Sequence, residues 1–292
     1  MSVLLCLPQI SWAVGDVRFA VIGDYGTVNP HTTAVARMIK TWDPDFILTT
    51  GDNNYPHGAW ETIDDNVGSL YSPYIYPYGG KYEKSSVTHN RFWPCLGNHD
   101  MGQGGKAEPF FRYFPALDGQ YAYDFVSGPV HFFALCSDPR CPDGIDPSSK
   151  QIRWFEGKVK ESTAPWKVVY YHHPTYSSSV MTPGFKKWPS EHWGKNHERK
   201  FDLPLGEWGV SAVLSGHLHL YERFDIDGVP YIINGLGGDE RYVFQDESPA
   251  IQSKVRFADE PGALCFEASQ NRLSLKFITT TGKIIDEYSL QK

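Results

Sequence analysis

Val17-Arg18-Phe19-Ala20-Val21-Ile22-Gly23-Asp24 is an apolar run that stops at a glycine and hands over to an acid. A short run of this character bounded by Gly reads as a buried strand. Asn29-Pro30 follows, the pairing expected of a helix N-cap and first helical position. Ala34, Val35, Met38, Ile39 and Trp42 then recur at helical spacing as an apolar stripe. Phe46-Ile47-Leu48-Thr49-Thr50 is a second apolar run, ending in Gly51-Asp52-Asn53-Asn54-Tyr55. The unit is a strand, a helix and a strand, with an acid at the carboxyl end of each strand. Open α/β sheets hold their ligands at that edge. One such Asp reads as a turn former or helix cap, whereas two in succession, each preceded by Gly, read as a site.

The same punctuation recurs along the chain. Phe92-Trp93-Pro94-Cys95-Leu96 ends in Gly97-Asn98-His99-Asp100, the run 166–171 delivers His172-His173-Pro174, and the run 210–215 ends in Gly216-His217-Leu218-His219. Alternate side chains of an extended chain point the same way, so His217 and His219 are expected to project from one edge. A lone His is ordinarily a packed core residue, but a His-x-His just past a buried strand becomes a metal site when other ligands converge on it. Five strand ends carry Asp24, Asp52 with Tyr55, Asn98 with His99, His172, and His217 with His219. Oxygen and imidazole donors in this mixture suit iron, zinc or manganese better than magnesium or calcium. They are too many for one tetrahedral zinc, and no Cys joins them. They fit two octahedral ions if one carboxylate bridges, a pair that clamps a phosphoryl group and lowers the pKa of bound water.

The remaining segments read as follows. Residues 61–91 form a long surface loop or short helix, and 121–125 with 130–135 form a hairpin in a second sheet, with His131 structural. Asp146-Pro147 caps a helix bearing Ile152, Phe155 and Val159, residues 176–206 form a lid or specificity loop, and 231–233, 263–268 and 273–279 are closing strands. No repeat or linker divides the chain, so residues 16–292 are read as one catalytic domain. The hydrophobic fraction of 41% and charged fraction of 21% belong to an ordinary globular chain. A net charge of -7 without a basic block argues against a nucleic-acid partner, and no run approaches the ~18 apolar residues that span a bilayer. Residues 1–15 are read as a signal-peptide remnant or a disordered N-terminus. Val3-Leu4-Leu5-Cys6-Leu7 is a short apolar run and Ser11-Trp12-Ala13 has small residues at both cleavage-recognition positions, but no basic region precedes them. The expected location is secreted or periplasmic. Cys136 and Cys141 either close a small disulfide loop or remain inert thiols.

Asp24-x-Gly26, Gly51-Asp52-x-x-Tyr55, Gly97-Asn98-His99-Asp100, His172 before Pro174, and Gly216-His217-x-His219 together resemble the five ordered motifs of the purple acid phosphatases. These belong to the calcineurin-like metallophosphoesterases. Tyr123-Asp124-Phe125, Pro129-Val130-His131-Phe132 and Leu220-Tyr221-Glu222-Arg223 are also similar, so the resemblance covers roughly residues 16 to 290. The wider superfamily opens with Asp-x-His; here that position is Gly26, and Tyr55 stands where a phenolate would replace the missing ligand. A free phenol has a pKa of about 10, so a strong Lewis acid such as Fe(III) is needed to hold it ionised.

The resemblance implies an α/β fold, a four-layer αββα sandwich with two mixed sheets face to face and helices outside, in the small single-domain form. It assigns Asp24, Tyr55 and His219 to Fe(III), Asn98, His172 and His217 to a second divalent ion (iron, zinc or manganese), and Asp52 to both. His99 would contact the phosphate or protonate the leaving alkoxide, its alternative being a hydrogen-bond partner behind the ligands. His173, His192 and His197 are candidate substrate contacts; His173 also reads as a packed residue, while Tyr25 and Asp100 read as structural supports. The implied reaction is hydrolysis of small phosphomonoesters by a metal-bound hydroxide. The alternatives are a phosphodiesterase or nucleotidase on the same metals, or a non-hydrolytic protein that binds phosphate or metal.

Overall fold

Among the described residues, thirteen strands carry the architecture. In chain order they are β1 (Val17–Ile22), β2 (Phe46–Thr49), β3 (Phe92–Pro94), β4 (Tyr123–Ser127), β5 (Val130–Ala134), β6 (Trp166–Tyr170) and β7 (Ala212–Ser215). They continue as β8 (Tyr221–Ile226), β9 (Val229–Asn234), β10 (Ser253–Phe257), β11 (Gly262–Ala268), β12 (Arg272–Thr279) and β13 (Ile284–Gln291). The computed structural model describes residues 15–102, 104–178, 201, 203–242, 244 and 252–292. The N-terminal run read as a signal remnant, most of the 176–206 loop, His192 and His197 lie outside the described residues.

Two mixed sheets result. The first runs β13-β12-β11-β1-β2-β3 and the second β10-β8-β9-β7-β6-β5-β4. In the first sheet β1, β2 and β3 are parallel, while β11, β12 and β13 form an antiparallel meander on the other side of β1. In the second, β5, β6, β7 and β9 are parallel. Parallel strands deliver their carboxyl ends to one edge, so each sheet presents a row of loops there. The hairpin read from the sequence is β4–β5, joined through Ser127–Val130 pairing. Strands β8, β10 and β13 were not read, because Glu222, Arg223, Asp225, Lys254 and Glu287 interrupt their apolar alternation.

Aromatic rings fill the space between the sheets. Phe19 of β1 stacks on Phe46 of β2 and on Phe266 of β11, with centroids 5.3 and 4.7 Å away, and meets Phe132 of β5 edge-on at 5.0 Å. Phe132 also touches Phe46 and Phe125. Period-two alternation along β5 sends Val130, Phe132 and Ala134 into this seam and Phe133 to the opposite face. There Phe133, Val169 and Val213 are covered by Ile152, Phe155 and Val159 of the helix Lys150–Glu161. Burial on both faces explains why these strands read as nearly continuous apolar runs.

The helices answer the sequence with one correction. Helix α1 (Pro30–Trp42) starts at the expected Asn29, whose side chain accepts from His31 and Thr32 amides in a capping box with Thr32. The helix Lys150–Glu161 is capped by Ser149 rather than Asp146-Pro147; Ser149 donates its amide to the Asp146 carbonyl, so the Asp-Pro pair makes the turn before the cap. The stretch 61–91, read as a loop or short helix, holds both: it is helical through Trp60–Ile63, Asp64–Gly68, Ser69–Tyr71 and Ser72–Tyr74, with a widened turn in the second segment, and irregular over 75–91. Its buried stripe includes Ile63, Val67, Leu70, Tyr71 and Tyr74, a helical spacing broken by that extra residue in the turn. Among the described residues no helix is long and apolar enough to cross a membrane.

If the aromatic seam joins the sheets, Phe132→Ala should destabilise the protein by about 3–5 kcal/mol in reversible denaturant unfolding. An unchanged midpoint would remove Phe132 from that role.

Candidate metal centre

Five loops at the carboxyl edges of β1, β2, β3, β6 and β7 bring seven side chains to one place, three loops from the first sheet and two from the second. Asp24 follows β1, Asp52 and Tyr55 follow β2, Asn98 follows β3, His172 follows β6, and His217 and His219 follow β7.

The donors divide into two groups that share one atom. The Tyr55 hydroxyl lies 3.1 Å from Asp52 Oδ2, 3.4 Å from Asp24 Oδ1 and 3.2 Å from His219 Nε2. On the other side, His172 Nε2 lies 3.0 Å from Asn98 Oδ1, 3.2 Å from His217 Nδ1 and 3.3 Å from the same Asp52 Oδ2. His217 Nδ1 is 3.1 Å from Asn98 Oδ1. Neighbouring ligands of a cation with bonds of about 2.1 Å lie about 3 Å apart at right angles, so both groups have the spacing of ligand sets. Asp52 stands between them.

Tautomers agree with this division. A carbonyl oxygen only accepts, so His172 Nδ1 donates to the Thr50 carbonyl at 2.8 Å, and His219 Nδ1 donates to that of Glu240. Both rings are left with Nε2 facing the cluster, the arrangement that orients metal-binding imidazoles. His217 instead turns Nδ1 inward. The sequence expectation that an extended chain projects both histidines is corrected here: β7 ends at Ser215 and His217 has φ 68°, so a left-handed kink, not strand alternation, aims the two rings.

Asp24 and Asp52 share that left-handed conformation, with φ 56° and 53°. Asp and His tolerate it better than bulky residues, yet its occurrence at three of seven clustered positions marks a site held by its surroundings. The glycines before Asp52 and Asn98 are spatial requirements. A Cβ on Gly97 would fall 2.1 Å from Asp52 Oδ1, and one on Gly51 2.6 Å from His172 Nδ1.

The electrostatics favour a cation. Asp24 and Asp52 are buried, and the Asp24 carboxylate takes the His217 amide at 2.9 Å. Burial would raise the Asp52 pKa, but His172 and then His99 hold it well below the carboxylate range. Burial would lower the His172 pKa, but Asp52 and Asp24 carry it well above its ordinary value, and Asp24 raises His219 against burial in the same way. Burial, then Asp52 and Asp24, push the Tyr55 phenol far up. A phenolate here therefore requires a strongly positive partner, and the donor set fits a pair of ions.

His99 sits beside the centre rather than in it. Its amide donates to Asp52 Oδ1 at 3.0 Å, and Nδ1 donates to the Pro56 carbonyl at 2.6 Å. That leaves Nε2, 3.9 Å from Asp52 Oδ2, on a side chain that is 36% exposed. His173 is buried, hydrogen-bonded through Nδ1 to Ser137 Oγ at 2.9 Å, with its ring 4.5 Å from that of His217. Asp100 and Tyr25 act as supports: Asp100 takes the amides of Asn53 and Gly97 and the Asn53 side chain, and Tyr25 donates to Asn53 Oδ1. Burial, then Asp52, push the Asp100 carboxyl up to about 7.

Three contributors escaped the sequence reading. Asn53 ties β2 to Asp100 and to the Cys95 carbonyl; its position beside Asp52 was the available signal. Tyr242 stacks on His219 at 4.4 Å, and Arg140 reaches the Asn98 carbonyl. Neither belongs to a strand-end motif.

Metal-stripped protein should gain thermal stability on adding a divalent ion, by about 2.7 kcal/mol at a hundredfold excess over Kd. Asp52→Asn should remove most of that gain; an equal gain in the variant would contradict a shared carboxylate.

The calcineurin-like phosphoesterase family model matches residues 17–221. Purple acid phosphatase 15 of Arabidopsis thaliana is 26% identical over 276 residues, covering 84% of this chain and 47% of that protein. Tartrate-resistant acid phosphatase type 5 of Homo sapiens is 25% identical over 325 residues, covering 96% and 92%. Among solved structures, a purple acid phosphatase from yellow lupin seeds (Lupinus luteus) superposes with a TM-score of 0.72 at 17% identity, covering 94% of this chain and 54% of that one. The chain thus spans about half the length of purple acid phosphatase 15 and probable purple acid phosphatase 20 of Arabidopsis thaliana.

Proposed function

Because this chain belongs to the calcineurin-like phosphoesterase family, we propose that it is a binuclear-metal phosphatase of the purple acid type, acting on small phosphomonoesters. The observation that carries this reading is the position of Asp52 Oδ2 between the Tyr55 hydroxyl at 3.1 Å and His172 Nε2 at 3.3 Å.

Asp24, Tyr55, His219 and Asp52 would hold Fe(III), and Asn98, His172, His217 and Asp52 a divalent iron, zinc or manganese ion. When bound, the pair supplies Lewis acidity to the phosphoryl oxygens and lowers the pKa of a water that becomes the nucleophile. Two carboxylates and a phenolate against three plus two positive charges leave a net charge of about +2, which attracts a phosphate dianion despite the negative protein. Tyr55 supplies a hard anionic donor in place of the imidazole that Gly26 cannot offer. The carbonyls of Thr50 and Glu240 keep the proton on Nδ1 of His172 and His219, so Nε2 faces the cluster in each. The Pro56 carbonyl does the same for His99, whose Nε2 would give a proton to the departing alkoxide from the imidazolium form, in which both ring nitrogens are protonated. His173, His192 and His197 remain the candidate contacts to the rest of the substrate.

We assign the whole of residues 16–292 to one catalytic domain, because both sheets share one aromatic core. Export from the cytoplasm belongs to the same reading and rests on the Val3-Leu7 run; mass spectrometry of the natural protein should find an N-terminus after Ala13, and an intact Met1 would count against it.

Metal-replete protein should cleave p-nitrophenyl phosphate well and its bis-ester poorly. Preference for the bis-ester would replace the monoesterase with a phosphodiesterase on the same site, and cleavage of neither would favour a binding protein. Tyr55→Phe should abolish the visible tyrosinate-to-iron band, whose persistence would exclude Tyr55 as a ligand. His99→Ala should lower kcat about 10²–10⁴-fold for alkyl esters and far less for p-nitrophenyl phosphate, whose leaving group needs no proton. An equal loss on both would deny His99 the role of acid.

A further inference from the structure

The loop after β5 belongs to no strand-end motif, yet it touches two of the loops that carry the second donor group. It is built on the second sheet and on the helix Lys150–Glu161. The Cys136 amide donates to Gln151 Oε1 at 2.7 Å, and Gln151 Nε2 returns bonds to the carbonyls of Cys136 and Gly144. Cys136 and Cys141 flank the turn as unbridged thiols, and the Cys141 amide closes it on the Asp138 carbonyl at 2.9 Å. Ser137 Oγ accepts the His173 amide at 2.9 Å, next to His172.

Arg140 projects from this turn across to the first sheet. Asp138, only 3% exposed in its side chain, holds the guanidinium in a fork: Asp138 Oδ1 takes Arg140 Nε and Asp138 Oδ2 takes Nη2, both at 2.8 Å. The Arg140 amide also donates to Asp138 Oδ1 at 2.8 Å. The guanidinium's free edge donates from Nη2 to the Asn98 carbonyl at 2.8 Å and from Nη1 to the Gly102 carbonyl at 3.0 Å. These two carbonyls bracket the turn that contains Asn98 and His99. A planar, permanently charged fork oriented by a buried carboxylate fixes its partners with little freedom, which an ammonium on a flexible stem does not.

We propose that Arg140 is a positioning residue for the second donor group: it fixes the 98–102 turn, setting Asn98 Oδ1 against His172 and His217 and presenting His99, while the Asp24–Tyr55–His219 group stands without it. The inference rests on the binuclear reading above, and the chemistry it concerns is the affinity for the divalent ion and delivery of the leaving-group proton. Arg140 makes no contact with any of Asp24, Tyr55 or His219 in its hydrogen bonds, so the two groups should respond differently to its loss.

The test compares wild type with Arg140→Gln, which keeps a planar polar group but loses the charge and the fork, and with Asp138→Asn, which keeps the arginine and loosens its anchor. In metal-free protein, amide hydrogen exchange within residues 98–102 should accelerate about tenfold or more in Arg140→Gln, with the Tyr55 amide, held by the Gly26 carbonyl, unchanged. In metal-loaded protein, the divalent ion should bind about 10–100-fold more weakly, kcat should fall, and excess divalent ion should restore most of it, while the Tyr55-to-iron band persists. Asp138→Asn should move each readout the same way by less. Unchanged exchange with unchanged divalent affinity would overturn the proposal. Loss of both metals with a lowered unfolding midpoint would also overturn it, since that is general support of the fold. If wild-type protein binds no second ion, the binuclear reading fails and the exchange result alone decides whether Arg140 holds the turn.

Discussion

Two buried carboxylates crowd a half-buried phenol, an arrangement that is tolerable only with positive charge beside it. Asp24 is fully buried and Asp52 nearly so, and both crowd the Tyr55 hydroxyl. Uncompensated negative charge in such a place costs far more than the margin of stability of a domain. The protein alone compensates by drawing His172 and His219 toward their cationic forms. Bound cations would do the same task with the imidazoles neutral and available as ligands. The surrounding loop chemistry follows from this demand: the carbonyls that fix ring tautomers, the glycines that make room for carboxylate oxygens, and the left-handed turns that aim them.

Position matters as much as charge. Asp24, Asp52, Tyr55 and Asn98 come from the first sheet, and His172, His217 and His219 from the second. Neither donor group is confined to one sheet, because His219 joins the first group and Asn98 the second. Each group is therefore complete only when the sheets face each other in register. The backbone links across that gap are specific: His217 donates its amide to Asp24, Gly237 donates to the Gly23 carbonyl, and Arg140 donates to the Asn98 carbonyl.

Much of this was legible from the residues. Apolar runs that hand over to a polar ligand type, through a Gly at β1, β2, β3 and β7 and directly at β6, located these strands to within a residue or two at most ends, and the order of those runs located the site. Asn29 announced its helix because an Asn-Pro step does little else so well. The failures have separate causes. Strands β8, β10 and β13 carry charged residues that find partners only in the folded state, as Arg223 does with Asp286 at 2.6 Å. The helical run after Trp60 hides its stripe behind one widened turn. The aim of His217 and His219 was inferred from strand alternation, though a backbone kink produces it. Arg140 could not be found at all, since its role depends on a carbonyl 42 residues away in sequence.

The aromatic seam has a meaning beyond cohesion. Phe19 and Phe132 meet edge-on at 5.0 Å and so help to set how far apart the sheets stand. Because each donor group spans the sheets, that separation is also the gauge against which donor spacing is cut. A slightly smaller or larger ring in the seam would retune the geometry of a donor cluster it never touches. A substitution in the core is therefore felt twice, once in whether the chain folds and again in whether its two edges still meet at the right gap.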